Sequence, residues 1–198
     1  MQAPFNRSLF YLILLVYGMV IGTVLITDQG IDLAYTALRL AALLGYLSLS
    51  LAVIMNLFKP DLQRLIGWPF LPVHHTFAVL GLVLITIHPV LFFILTADPS
   101  VFIPDTTSIS SFFASGGRVA IILIYGAFLA ALFRSALASW WRKIHMLVYP
   151  ALIIAVIHAN IMGATFQNAG IWLLYNGLAG AILITGIMKG IRRRKIRL

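Results

Sequence analysis

Five histidines lie in two stretches of an otherwise apolar chain: His74, His75 and His88 in the first, His145 and His158 in the second. Imidazole binds transition metals and exchanges protons near neutral pH. Neither stretch contains Asp or Glu. A proton relay, or a zinc or di-iron site, would draw on carboxylates or on a third neighbouring histidine. His88 follows His74 by 14 residues, and His158 follows His145 by 13. Along a helix these intervals measure about 21 Å and about 19.5 Å. Each stretch therefore offers one imidazole near each of its ends. Two neutral imidazoles facing each other across a gap are the ligand set of a low-spin, six-coordinate haem iron. Four of them suit two b-type haems, with His74 and His145 at one level and His88 and His158 at the other.

The angular part of the pattern is less regular. Fourteen steps of about 100° return to within about 40° of the starting face, whereas thirteen leave about 140° of mismatch. Pro150 stands between His145 and His158, where it can kink or rewind the helix. His75 points about 100° away from His74, so one iron cannot take both. His74 is the first choice because its spacing to His88 fits better, and His75 is the reserve candidate.

The elements that must position these residues are membrane helices. Of 198 residues, 62% are hydrophobic and 10% charged, against roughly 45–50% and about 25% in a soluble domain. Six apolar runs are long enough to cross about 30 Å of hydrocarbon. They lie near 8–26, 35–58, 73–95, 117–134, 144–163 and 171–189, which predicts an all-α, six-helix transmembrane bundle in one domain, 1–198. The first run is expected to be a retained helix, because no A-x-A cleavage site follows it. The chain has no cysteine, which excludes disulfides and thiolate-ligated clusters.

Charge predicts the orientation. There are 14 Lys and Arg against 5 Asp and Glu, a net charge of +9. The bases sit in loops between apolar runs, which fits a lipid bilayer and not nucleic acid as the partner. Lys59 and Arg64, then Arg134, Arg142 and Lys143, then the tail from Lys189 through Arg192, Arg193, Arg194, Lys195 and Arg197 fall on one side. Asp28, Asp32, Asp98 and Asp105 fall on the other, with only Arg39 and Arg118 at helix ends. Basic loops stay in the cytoplasm, so both termini are expected there, in the plasma or inner membrane. The connection 97–116, polar through Ser108, Ser110, Ser111 and Ser115, is expected outside, with Phe112 and Phe113 resting on lipid. Gly18 and Gly22 form a small-xxx-small pair, a helix-packing motif.

At VHHTFAVLGLVLITIHPVLF (73–92) and WRKIHMLVYPALIIAVIHA (141–159) the sequence resembles the ferric-reductase-like transmembrane family. Members include ferric reductases, NADPH oxidases and the haem-binding subunit of the bacterial protein-methionine-sulfoxide reductase system. The six-helix layout extends the resemblance over nearly the whole chain. It implies that His74 and His145 ligate the inner haem and His88 and His158 the outer one. It also implies that Arg39, at the outer end of the second helix, lies near the outer haem and balances its propionates or incoming charge. An interfacial arginine that snorkels to water is the alternative for Arg39. The large reductases continue into FAD and NADPH domains. Here eight residues follow Gly190, so the electrons are expected from elsewhere. The oxidases carry a histidine four residues after the outer ligand, where this chain has Phe92.

These features lead to a transmembrane electron carrier, the electron-transfer subunit of an oxidoreductase. A cytoplasmic flavin-dependent reductase or a quinol would be its donor, and an extracytoplasmic protein or ferric complex its acceptor. The alternatives are a quinone-linked cytochrome b membrane anchor of an oxidoreductase complex and, further off, a haem-free transporter.

Overall fold

The computed structural model describes residues 7–59, 67 and 69–195. Arg64 and Arg197 lie outside these residues, and the side chains of residues 192–195 are likewise not described. All regular structure among the described residues is helical: α1 (Arg7–Thr27), α2 (Leu33–Met55), α3 (Phe70–Thr96), α4 (Ile109–Ala114), α5 (Gly116–Leu132), α6 (Trp141–His145), α7 (Val148–Met162) and α8 (Ala169–Lys195). Two 3₁₀ turns, Pro99–Phe102 and Ala164–Gln167, complete it.

Among the described residues, five stretches are long and apolar enough to cross a membrane: Ser8–Thr27, Leu33–Met55, Phe70–Thr96, Trp141–Met162 and Ala169–Ile191. The remaining apolar helix, Gly116–Leu132, has 17 residues. It extends about 25 Å, at the lower limit for a span. The protein is thus a multi-pass, all-helical membrane protein.

The chain divides into two compact units, one of residues 1–91 and 180–198 and the other of residues 92–179. In the first, α2 is the central element, with both its apolar and its small residues buried. Asp32 caps its start by accepting from the Ala34 amide at 2.9 Å, satisfying a donor that the first turn leaves open. Ser48 and Ser50 lie inside the apolar core, but their hydroxyls donate to the Leu44 and Tyr46 carbonyls at 2.7 Å each. Neither leaves an open donor in a medium without water. The Tyr17 hydroxyl meets the Ser48 hydroxyl at 2.6 Å, tying α1 to α2. Among the described residues Gly18 and Gly22 meet no neighbouring helix: a Cβ at either would find nothing within 4 Å. The small residues that do bring helices together are Gly45 and Gly81, on α2 and α3.

In the second unit α5 packs along α7 and against α6, and α4 packs on α7. Phe112 and Phe113 are half-buried there and meet edge to face. The polar connection is braced internally. Asp98 accepts from the Ser100 amide at 2.9 Å and hydroxyl at 2.7 Å. Asp105 does the same with Thr107, at 2.9 and 2.7 Å. The Ser100 and Thr107 hydroxyls, then their amides, hold both carboxyls below the ordinary carboxylate range. Arg118 donates to the Ile103 carbonyl at 2.7 Å and closes the connection onto the start of α5.

Candidate functional site

In the first unit α2 and α3 run antiparallel in a fixed register. The His88 Nδ1–H donates to the Leu38 carbonyl at 3.0 Å, and the His74 Nδ1–H to the Ala52 carbonyl at 3.0 Å. Midway between these rungs, a Cβ on Gly81 would lie 3.0 Å from the Gly45 carbonyl oxygen. Leu38, Gly45 and Ala52 advance along α2 by sevens; His88, Gly81 and His74 retreat along α3 by the same step. Seven residues are two turns of helix, so all three contacts return to one seam. The glycines let the backbones approach there. A Cβ on Gly45 would stand 2.7 Å from Ile85 Cγ2 and 2.9 Å from the Ile85 backbone nitrogen.

The second unit uses the same device at a different interval. The His158 Nδ1–H donates to the Ala114 carbonyl at 2.7 Å, and the His145 Nδ1–H to the Ala127 carbonyl at 2.9 Å. The acceptors are 13 residues apart, as are the histidines, in the opposite chain direction. Glycine again marks the approach: a Cβ on Gly116 would lie 3.0 Å from Ile154 Cγ2 and 3.3 Å from His158 Cβ.

The angular mismatch of the 13-residue interval is reduced where α6 gives way to α7. Pro150 has no N–H to offer the Met146 carbonyl. That carbonyl accepts instead from Tyr149, three residues on, at 3.1 Å. Met146 and Leu147 likewise donate three residues back, to Lys143 at 3.2 Å and Ile144 at 2.9 Å. Such 3₁₀ winding turns about 120° per residue and rises about 2.0 Å. Over three or four residues it recovers about 60–80° of the mismatch and adds about 2 Å of rise. The rewinding therefore lies just ahead of the proline, and its cause is the donor that proline lacks.

A backbone carbonyl can only accept, so each of the four rings carries its proton on Nδ1. In the neutral imidazole the lone pair then resides on Nε2, the arrangement that orients metal-ligating histidines. His75 differs. It is exposed whereas His74 is half-buried, and among the described residues it makes ring contact with His74 but no carbonyl bond of this kind. The four imidazoles stand out in the sequence but their anchors do not, since every residue has a carbonyl and none advertises it.

Arg39 forms an ion pair with Asp28, at the turn between α1 and α2. The Asp28 side chain is 3% exposed and that of Arg39 26%. One Asp28 oxygen, Oδ2, is buried without a hydrogen-bond partner among the described residues. The guanidinium thus already has a counter-charge, held one residue beyond the Leu38 carbonyl that orients His88. In the sequence Asp28 is only one acid among several; its pairing with Arg39 comes from the turn that folds residue 28 back on residue 39.

Among the described residues no three His, Asp or Glu converge as a metal-binding group. A bare metal centre needs such a group, whereas a haem iron takes only two protein ligands. Imidazoles presented singly, each oriented through Nδ1, fit that donor chemistry.

No curated protein and no solved structure matches the chain. One family does, described as "Ferric reductase like transmembrane component", over residues 39–156. The match begins at Arg39, contains His74, His88 and His145, and ends two residues before His158. It is narrower than the near-complete coverage expected from the sequence, but it takes in more than half the chain, and the protein belongs to the ferric-reductase-like transmembrane family.

Proposed function

We propose that the protein moves electrons across the bilayer through two bis-histidine b-type haems, from a cytoplasmic reductant to an extracytoplasmic acceptor. The observation that carries this reading is the set of four Nδ1–carbonyl bonds, which fixes four imidazoles in the tautomer that ligates iron. Their positions along the chain assign His74 with His145 to the inner haem and His88 with His158 to the outer one. Haem iron, when bound, supplies a one-electron couple. The chain's part is to hold the imidazoles, to exclude water, and to set charge near the outer level through Arg39 and Asp28.

The chain acts as one six-span domain with both termini cytoplasmic, α5 completing the count, and serves as the membrane subunit of a reductase system. The donor is a flavin-dependent reductase or a quinol. The acceptor is an extracytoplasmic protein or a ferric complex.

Pyridine haemochrome analysis of the purified protein tests the cofactor assignment. Two haems per chain are expected, falling to one in His74→Ala. A value of one in the unaltered protein, unchanged in His74→Ala, overturns the inner site. A reporter fused after Leu198 should be active only as a cytoplasmic one; a working periplasmic reporter there reverses the topology.

A further inference from the structure

Gly117 lies at the start of α5, 28 residues before His145 and 41 before His158 in the sequence. A Cβ built on it would stand 3.0 Å from His158 Nε2, 3.0 Å from Cδ2 and 3.6 Å from Cε1. These three distances locate the point on the ring. Along the Nε2 lone pair, the two carbons would be equidistant and farther off than the nitrogen. They are not, and Cδ2 is as near as Nε2. The point therefore lies over the face of the imidazole, at its Nε2 edge, and leaves the lone-pair direction open.

Two consequences follow from that position. First, the ring cannot easily retreat, because its other nitrogen is held to the Ala114 carbonyl at 2.7 Å. Second, a metal on Nε2 sits about 2 Å out along the lone pair. A flat macrocycle carried by that metal spreads perpendicular to the bond, across the space beside Nε2. A carbon level with Nε2 would then be about 2 Å from its plane, where carbon–carbon contact takes about 3.5–4.0 Å.

We propose that Gly117 is a specificity-determining position of the His158 site, keeping clear the flank of Nε2 that a planar macrocycle occupies. The inference rests on the haem reading above and sharpens it. Gly117 acts by having no side chain, and Gly116 differs from it in that its missing Cβ faces Ile154 and the His158 Cβ, not the coordinating edge.

The test compares the full-length protein with Gly117→Ala, His158→Ala and Gly126→Ala, Gly126 being a position on the same helix where a Cβ meets nothing within 4 Å. Haem content and the low-spin electron paramagnetic resonance signals are read from each. Two haems are expected in the unaltered protein and in Gly126→Ala. Gly117→Ala should fall to one and lose the same signal as His158→Ala. Two haems with unchanged signals in Gly117→Ala overturn the inference and leave the haem reading standing. No haem in the unaltered protein overturns that reading and this inference with it. Should Gly117→Ala lose both haems, the double variant with His158→Ala decides. If it regains the single haem and melting midpoint of His158→Ala, the damage came through the ring and its ligand. If it holds none, the glycine serves the backbone alone and the inference fails.

Discussion

Gly45→Ala is the substitution most informative about how the histidines are held. The new Cβ would enter 2.7 Å from Ile85 Cγ2 and 2.9 Å from the Ile85 backbone nitrogen. The methyl group can rotate away, but the backbone cannot, so α2 and α3 must part by roughly 0.6–1 Å to restore ordinary contact. Both rungs on this seam are 3.0 Å long. Parting the helices by that amount carries both beyond the 3.2 Å limit of a good N–H···O bond. Overpacking costs about 1–3 kcal/mol, and each lost hydrogen bond about 1 kcal/mol more. The sum, roughly 3–5 kcal/mol, is a factor of about 10²–10³ or more in the fraction of molecules with both rungs closed. Because His74 and His88 serve different haems in the proposed arrangement, Gly45→Ala should deplete both, unlike Gly117→Ala. Haem content and the thermal midpoint in detergent measure this, with Gly18→Ala as the comparison, since its Cβ meets nothing. Full haem content and an unchanged midpoint in Gly45→Ala would refute the idea that this crossing sets the rungs.

Three further outcomes are expected. His75→Ala should retain both haems, because that side chain is exposed and makes no carbonyl bond among the described residues; loss of one haem would transfer the ligand role from His74 to His75. Asp28→Asn leaves the Arg39 charge without its partner and should destabilise by about 1–3 kcal/mol, between the figures for exposed and fully buried pairs; combining it with Arg39→Gln should recover part of the loss in thermal unfolding, and a strictly additive pair would count against the coupling. Asp98 and Asp105 titrate below the ordinary carboxylate range, so their bonds stabilise the connection above the unfolded value near pH 4 and are lost as pH falls through the lower folded values. Amide exchange across 98–116, measured relative to an unstructured peptide at the same pH, should accordingly keep its protection from neutral pH to about pH 4 and lose it below, with Ser100→Ala bringing the onset to higher pH.

The helices were legible because lipid demands long apolar runs and little else does. The run near 8–26 became Arg7–Thr27 and that near 73–95 became Phe70–Thr96, a drift of a few residues at each end. The run near 144–163 is two helices, since a proline's missing donor acts on the carbonyl four residues earlier and apolar composition does not register the change. Glycine spacing is a poor guide to the crossing for a related reason. Gly18 and Gly22 satisfy an i, i+4 rule within one helix, whereas Gly45 and Gly81 are related only across two. Histidines stand out in an apolar chain, but their orientation depends on backbone oxygens. Arg39 was visible as a charge near a helix end, and its partner Asp28 became meaningful only through the turn that joins them.

Anchoring imidazoles on main-chain oxygens makes both helix pairs sensitive above all to one kind of genetic change, a change of length. Leu38, Ala52, Ala114 and Ala127 present their oxygens whatever side chain they carry, so replacement there is limited by packing, most tightly at Ala52 and Ala127, each 2% exposed. A single codon inserted or deleted between 38 and 52, or between 114 and 127, is another matter. It turns one acceptor by about 100° and shifts it about 1.5 Å relative to the other, and no side-chain replacement elsewhere restores both rungs together. The lengths of these segments should therefore stay locked across lineages of this protein even where packing lets the side chains vary, and a length change on one helix should survive only with a matching change on its partner.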